Sequence, residues 1–374
     1  MKIIYAKQEI KFVHILTGLP FGGNESLCLQ ILKHAPENIE NILLNVDPSR
    51  QEMLNLFQQI KGVKIIELTY RKEQLIRSIY ELFLLFRATK AEGVLCYAFS
   101  LVSVWVGLAA RLAGIQTIAV HAGNMPPQEP SQRFKWKLLI WLFYLLNIKI
   151  YPCSMAVQRS LEELSCLQRG SYAIPNGCDV ENIANRAQKT RQQRLTSQLI
   201  IGMVARLNSI KDHETLIRAF AQLIQKFPQG QLWLVGDGEE RSRLEHLSQI
   251  LNIQDAVVFF GNRVDIPELM GQMDIFVFST TEAEGFGIAI IEAMAAGLPI
   301  VASEVSACRE VLNGNEIAQF FPVGNIEILV KVLEKFSHSL EDRTYYAQRG
   351  SIHVLDKYNI QTCSKRWYHV LNGY

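Results

Sequence analysis

Residues 274–303 read DIFVFSTTEAEGFGIAIIEAMAAGLPIVAS. The run DIFVFST has the length and side chains of a buried strand, and the polar turn after it contains Gly285 and Gly287. IAIIEAMAA is then composed as a helix, which stops at Gly297 before Pro299. Strand, glycine-containing turn and helix make one βα unit. A helix start behind such a turn offers unpaired backbone N–H groups and the positive end of the helix dipole, which suits a phosphate. Glu284 and Glu292 flank this start eight residues apart, or about 12 Å if helical rise holds throughout. That separation fits an extended polar ligand with hydroxyls at both ends. It fits equally an acid favoured by the dipole and a second acid on a solvated face.

The same unit recurs on both sides. In the first half, KFVHIL, NILLNV, VKIIEL, GVLCYAF, TIAVHA and KIYPCS read as strands with helical segments between them. LIIGMVARL, QLWLVGD, AVVFFG, DIFVFST and PIVASEV form a second series. Two sets of alternating strands and helices predict an α/β chain with two Rossmann-like parallel sheets. The expected divisions are a first domain at 1–175, a linker at 176–198, a second domain at 199–355 and a last helix at 356–374 that returns to the first domain. The linker reading rests on ENIANRAQKTRQQRLTSQ, residues 181–198, which is polar, basic and nearly free of aliphatic side chains.

Two loops of the second series carry further polar groups. VARLNSIKDHETL places Arg206 at a strand end, and the S-x-x-D pattern of Ser209 and Asp212 predicts a helix start with Lys211 in its first turn. Leu216, Phe220, Leu223, Ile224 and Phe227 share one face of that helix. Two cations beside free N–H groups suit a diphosphate, although an Arg and a Lys are also ordinary in a surface loop. QLWLVGDGEER ends its strand in Gly236, Asp237 and Gly238. In the first half, His121 follows the apolar run TIAV and His14 lies on the first strand; His14 reads as a core residue, His121 as either a core or a site residue.

Composition narrows the field. Of 374 residues 49% are hydrophobic and 20% charged, enough for real cores and unlike a disordered or fibrous chain. A net charge of +2 gives no reason to expect nucleic acid as a partner. The charge is uneven: residues 1–175 hold 19 Lys and Arg against 13 Asp and Glu, and the remainder 19 against 23. Seven cysteines without a C-x-x-C pair suggest neither zinc nor a disulfide framework, and predict a reducing, cytoplasmic setting. Lys2, Lys7 and Lys11 break up any signal-peptide core.

Two apolar stretches bear on membranes. Residues 93–110 are 18 uncharged residues that read as a buried strand, a Ser100 cap and a helix rather than one span. Residues 133–149, RFKWKLLIWLFYLLNIK, leave only 11 residues between Lys137 and Lys149, too few to cross. They form either a helix seated through Leu138, Leu139, Leu142 and Leu146, or a basic, aromatic helix suited to peripheral contact with an anionic membrane.

In combination, VARLNSIKDHETLIRAF, WLVGDGEER, FFGNRVDIPELMGQMDIFVFST and EGFGIAIIEAMAAGLPIVAS resemble the C-terminal domain of GT-B retaining glycosyltransferases, specifically glycosyltransferase family 4. LPFGGNE, VHAGN and IPNGCD are weaker, collinear likenesses. The resemblance implies two domains facing across a cleft, the C-terminal one holding a UDP- or GDP-type sugar donor and the N-terminal one a glycan or lipid-linked acceptor, in cell-surface polysaccharide or glycolipid synthesis. It implies that Arg206 and Lys211 bind the diphosphate, Glu284 the sugar, and Glu292 the ribose. Backbone N–H groups of Gly285, Phe286 and Gly287 would hold the sugar and distal phosphate. The strand end at Gly236 would also line the donor site, and Gly261, Asn262, Arg263 and Val264, in the loop running to Asp265, would meet the base. Gly22 and Gly23 would bring a loop close to the reacting centre, with His121 near both sugars.

The chain departs from the family pattern at Asn24, which stands where alanine is commoner, and at 304–310, which lack a glycine pair. No Asp-x-Asp is present, so Arg206 and Lys211 would take a metal's place, and no cofactor is implied. A same-fold sugar phosphorylase or nucleotide-sugar epimerase, or a non-catalytic nucleotide-sugar-binding module, remain alternatives. An NAD dehydrogenase is disfavoured, because Arg241 and Ile290 stand where G-x-G-x-x-G needs its last glycine.

Overall fold

The computed structural model describes residues 10–165, 167, 169–195 and 198–373; Lys2, Lys7 and Cys166 lie outside them. The chain divides into two units, 1–177 with 360–374, and 178–359.

The first unit alternates β1 (Ile10–Leu16), α1 (Gly23–Lys33), β2 (Ile39–Asn45), α2 (Leu54–Gln58), β3 (Val63–Glu67), α3 (Leu75–Thr89), β4 (Gly93–Cys96), α4 (Leu101–Leu112), β5 (Thr117–Ala122), α5 (Pro130–Leu145), β6 (Lys149–Pro152) and α6 (Met155–Leu164). Its sheet runs β3-β2-β1-β4-β5-β6, with every pairing parallel. Strands covered on both faces are largely apolar, which is why GVLC reads as a continuous run and KFVHIL is interrupted only by Lys11 and His14. From β3 onward each crossover moves the same way across the sheet, so right-handed connections put α3, α4 and α5 on one face and α1 on the other. The contacts of α3 with α4 and of α4 with α5 agree. His14 lies level with Leu43 and Leu95 of the neighbouring strands, and its ring nitrogens meet the Tyr97 hydroxyl at 3.0 Å and Asn41 Oδ1 at 3.1 Å. It is a satisfied core residue.

The second unit comprises α7 (Val180–Gln192), β7 (Ile200–Val204), α8 (His213–Leu223), β8 (Gln231–Val235), α9 (Arg241–Ile250), β9 (Val257–Gly261), α10 (Ile266–Gln272), β10 (Ile275–Phe278), α11 (Ile288–Ala295), β11 (Ile300–Ser303), α12 (Ser306–Val311), β12 (Ala318–Phe321), α13 (Ile326–His338) and α14 (Leu340–Lys357). Its sheet order is β12-β11-β10-β7-β8-β9, again parallel. Leu216, Phe220 and Leu223 of α8 enter the core, joined by Leu329, Leu333 and Phe336 of α13. The last helix, α15 (Ile360–Leu371), belongs to the first unit and packs on α1 and β5. Ser364 donates to the carbonyl of His34 at 2.9 Å, Tyr368 to Asn41 Oδ1 at 3.0 Å, and Trp367 is fully buried against His121 and Tyr151.

Three sequence expectations change. The polar stretch read as a linker is largely helix α7, capped by Asp179 and seated through Val180, Ile183 and Ala187. Its arginines have fixed partners in the same unit. Arg186 makes a bidentate pair with Glu268 at 2.7 and 2.6 Å, Arg191 reaches the Ala296 carbonyl at 2.8 Å, and Arg194, just past the helix, pairs with Asp274 at 2.9 Å. Polar composition therefore misrepresents a packed helix. Strand β12, AQFF, was not anticipated, because four residues with one polar side chain carry little strand signal. On α5, Leu139, Ile140 and Phe143 face inward while Leu138 is exposed, so the inward face is not the leucine set expected. Among the described residues no helix is long and apolar enough to cross a membrane.

Candidate functional site

In the second sheet the strand order reverses between β7 and β10, the point at which parallel α/β sheets open a crevice beyond their strand ends. The β7–α8 loop leaves one way and the β10–α11 loop the other. Backbone bonds join the neighbouring loops: Ala205 N–H to the Val235 carbonyl at 3.0 Å, Leu207 to Asp237 at 3.0 Å, and Gly236 to Gly261 at 2.9 Å. Gly236 has φ +131°, and a Cβ there would overlap the Ala205 carbonyl, so this close approach requires glycine.

Lys211 is held from both sides. The Ile210 carbonyl accepts from the Thr281 N–H at 3.0 Å and the Thr280 hydroxyl at 3.1 Å. The Lys211 carbonyl accepts from His213 Nδ1 at 2.9 Å. His213 is buried, and that burial lowers its pKa to about 4, so the ring is neutral at pH 7. Helix α8 starts three residues later than expected, since Asp212 rather than Ser209 is the cap and accepts from the Thr215 N–H at 3.2 Å. Lys211 thus precedes the helix rather than lying in its first turn.

The Lys211 ammonium sits 4.5 Å from the Phe278 ring centroid and pairs with Glu284 Oε2. Glu284 is buried and also accepts from the Phe286 N–H at 3.2 Å and the Thr280 hydroxyl at 3.4 Å. Burial acts to raise its pKa, but the Lys211 charge and the hydrogen bonds outweigh it and hold the carboxyl below its ordinary range. Gly287, at φ +85°, is the N-cap of α11, and a Cβ on it would lie 2.8 Å from the Ile290 side chain. The helix begins only at Ile288, so helical rise does not span Glu284 to Glu292, and the 12 Å separation does not follow. Glu292 is half-buried in the second turn of α11 and has no side-chain partner among the described residues. Burial raises its carboxyl to about 7.

Arg206 is exposed at the end of β7. Phe286 is buried edge-on to Tyr358, with centroids 5.5 Å apart. After Gly261, Asn262 and Val264 are exposed, and Arg263 pairs with Asp265 at 2.6 Å. The second unit therefore gathers Arg206, Lys211, Gly236, the 261–265 loop and Glu284–Gly287 at one sheet edge, with Glu292 nearby on α11. Cations, a glycine-capped helix start and two carboxylates in unlike electrostatic settings suit an anion carrying hydroxyl groups. Residues 304–310 adopt no left-handed backbone, consistent with the absence of glycine there. His213, Thr280 and Thr281, which position Lys211, were missed by sequence reasoning. The only signal was the position of His213 two residues after Lys211, which carries no meaning without the turn.

In the first unit, Gly22, Gly23 and His121 lie at the strand ends of the other sheet. Gly22 caps α1 in an extended conformation, φ −169°, which does not itself require glycine. His121, on β5, is 1% exposed; its Nε2 donates to Asn176 Oδ1 at 3.2 Å, and Nδ1 has no hydrogen-bond partner among the described residues. Burial lowers its pKa to about 4, leaving Nδ1 a neutral acceptor at pH 7. A Cβ on Gly123 would lie 3.1 Å from the His121 ring and 3.3 Å from Asn24 Oδ1, so these groups surround one small space.

Residues 185–352 match the family of glycosyl transferases group 1. A putative glycosyltransferase, EpsF, of Bacillus subtilis strain 168 is 27% identical over 315 residues, 79% of each chain. The crystal structure of Anabaena HepE in complex with UDP-glucose superposes with a TM-score of 0.84 at 20% identity, covering 98% of this chain and 100% of that one. WaaG, a glycosyltransferase involved in lipopolysaccharide biosynthesis, superposes with a TM-score of 0.71 at 16% identity over 97% and 100% of the two chains.

Proposed function

We propose, for this GT-B glycosyltransferase of group 1, that it moves a sugar with retention of configuration from a nucleoside diphosphate donor of UDP or GDP type to a glycan or lipid-linked acceptor. The product would enter cell-surface polysaccharide or glycolipid. The observation that carries this reading is the Lys211–Glu284 pair at the β7/β10 switch point, beside the Gly287-capped start of α11. The binding of UDP-glucose by HepE supports the donor class.

In this reading Arg206 and Lys211 neutralise the diphosphate, and the N–H groups at the start of α11 bond its distal phosphate. Glu284 accepts from sugar hydroxyls, and Glu292 from the ribose hydroxyls. Gly236 and the 261–264 loop border the nucleoside. Gly22 and Gly23 bring a loop close to the reacting centre on the donor, and His121 lies near both sugars as a hydroxyl acceptor. The bond from the anomeric carbon to the diphosphate oxygen breaks, and one to the acceptor oxygen forms on the same face. The acceptor proton passes to the departing phosphate oxygen, so no protein nucleophile is required. Preorganised cations stabilise the charge that develops on the leaving group, and no metal is needed for it.

The deciding experiment incubates the protein with a panel of nucleotide sugars and acceptors, measuring nucleoside diphosphate release and product anomer by NMR. Release of sugar 1-phosphate with inorganic phosphate as acceptor would indicate a phosphorylase instead. An inverted product would overturn retention.

A further inference from the structure

The layer formed by α3, α4 and α5 carries apolar side chains that the first unit leaves uncovered. On α5, Phe134, Leu138, Trp141 and Leu145 follow one another at i, i+4, i+7 and i+11, a single stripe along the helix. All four are exposed, Phe134 at 69% and Trp141 at 53%. The helix is already seated by its other face. Phe143 is buried edge-on to Phe99 at 5.3 Å between centroids, and Trp136 lies on the same Phe99 at 4.7 Å. The stripe is therefore additional to the core contact. In the same layer α3 repeats the pattern with Ile76, Tyr80 and Leu84, all exposed, Ile76 at 86%. Exposed apolar surface of this extent marks a contact with something outside the unit.

The charges beside the stripe indicate what that is. Arg133, Lys135 and Lys137 lie in the N-terminal half of α5 and Lys149 just beyond its end, and residues 130–150 contain no Asp or Glu. Glu129, just before the helix, lies in the field of Lys135. An apolar stripe beside cations matches the acyl region and the phosphates of an anionic bilayer. A second copy of the same face would bring the cations of the two helices together, with no anion on α5 to meet them.

We propose that α5 docks on an anionic bilayer by its Phe134–Leu138–Trp141–Leu145 stripe, with α3 as a second contact on the same face. This inference does not depend on the chemistry assigned to the second unit, and its test requires no turnover.

The test is co-sedimentation with phosphatidylglycerol–phosphatidylcholine vesicles at low salt, with pure phosphatidylcholine vesicles as the neutral comparison. Two triple variants are compared with wild type: Arg133→Gln/Lys135→Gln/Lys137→Gln, and Phe134→Ser/Leu138→Ser/Trp141→Ser. The replaced side chains lie outside the core, and unchanged melting confirms folding. The expected result is binding to the anionic vesicles only, weakened by added salt. The charge variant should bind on the order of 100-fold more weakly, and the stripe variant should lose binding too. Quenching of tryptophan emission by brominated lipid should be reduced by Trp141→Phe. Failure of the wild type to sediment, or sedimentation of either triple variant as well as wild type, overturns the proposal. So does a lipid-free dimer abolished by the stripe variant, which would assign the face to self-association.

Discussion

Lys211 and Glu284, 73 residues apart in the chain, form an ion pair between the loops of the adjacent strands β7 and β10. Both side chains are largely withdrawn from water, and the ammonium also faces the Phe278 ring. A donor diphosphate arriving there would meet a cation whose carbonyl and whose neighbours are already fixed.

The pair should be strongly coupled in stability. Lys211→Met leaves a buried carboxylate without its counter-charge, a loss of about 3–5 kcal/mol. Adding Glu284→Gln should recover most of that loss. Urea unfolding of the two single variants and the double closes the cycle; additive effects would mean the pair is uncoupled.

Turnover should respond differently at the two cations. Arg206 is exposed, so Arg206→Ala should leave the melting temperature nearly unchanged while reducing turnover on the order of 100-fold. Lys211→Ala should lower both. Near-normal rates in both variants would remove these residues from the leaving-group site.

Glu292 predicts a pH dependence with a definite sign. Its folded pKa is about 7 against an ordinary 4.5, so between those values the folded state binds more protons than the unfolded state. Stability therefore falls as pH rises through this window, and the penalty is complete above about pH 7. Glu292→Gln should be more stable than wild type at pH 8, by roughly 1–2 kcal/mol after allowance for solvent screening, and indistinguishable near pH 4. Thermal melts across the range check it, and a constant difference at all pH values would refute the assignment. Glu284 has the opposite sign. Its contribution is present above the ordinary carboxylate range and is lost as pH falls through its lowered folded value.

Activity should survive EDTA, because Arg206 and Lys211 are proposed to neutralise the diphosphate. Nucleoside diphosphate release measured before and after chelation tests this, and an absolute requirement for added magnesium or manganese would contradict it.

Trp367 should be essential to the first unit although it lies near the end of the chain. It is fully buried between His121 and Tyr151, at 5.9 and 5.7 Å between ring centroids. Trp367→Ala should cost about 3–5 kcal/mol and Trp367→Phe distinctly less. Denaturant unfolding of both variants decides the matter; a wild-type midpoint for the alanine variant would mean that α15 is not integral to the unit.

Much of the architecture is legible locally. The run DIFVFST, Gly287 and the apolar helix behind it specify β10, a left-handed turn and α11, because strand period, glycine conformation and helix stops act over a few residues. Where the local signal misled, longer-range contacts had decided. The composition of ENIANRAQKTRQQRLTSQ suggests solvent, yet Arg186 and Arg194 pair with Glu268 and Asp274, about 80 positions away in the chain. The S-x-x-D pattern points to a helix start in the right loop, but the cap is Asp212 and not Ser209, and this three-residue difference removes Lys211 from the helix.

The amino-acid sequence alone determined two series of strand and helix, a glycine-capped helix start after β10 and the presence of cations in the loop after β7. Periodicity and backbone preference are short-range properties, so they can be read without a partner. Only the tertiary structure decided that β7 and β10 are neighbours, that Lys211 meets Glu284, and that Glu292 is half-buried with no side-chain partner among the described residues. Strand order sets which distant loops share an edge, and burial sets the cost of holding a charge there. Neither quantity exists until the sheet has assembled.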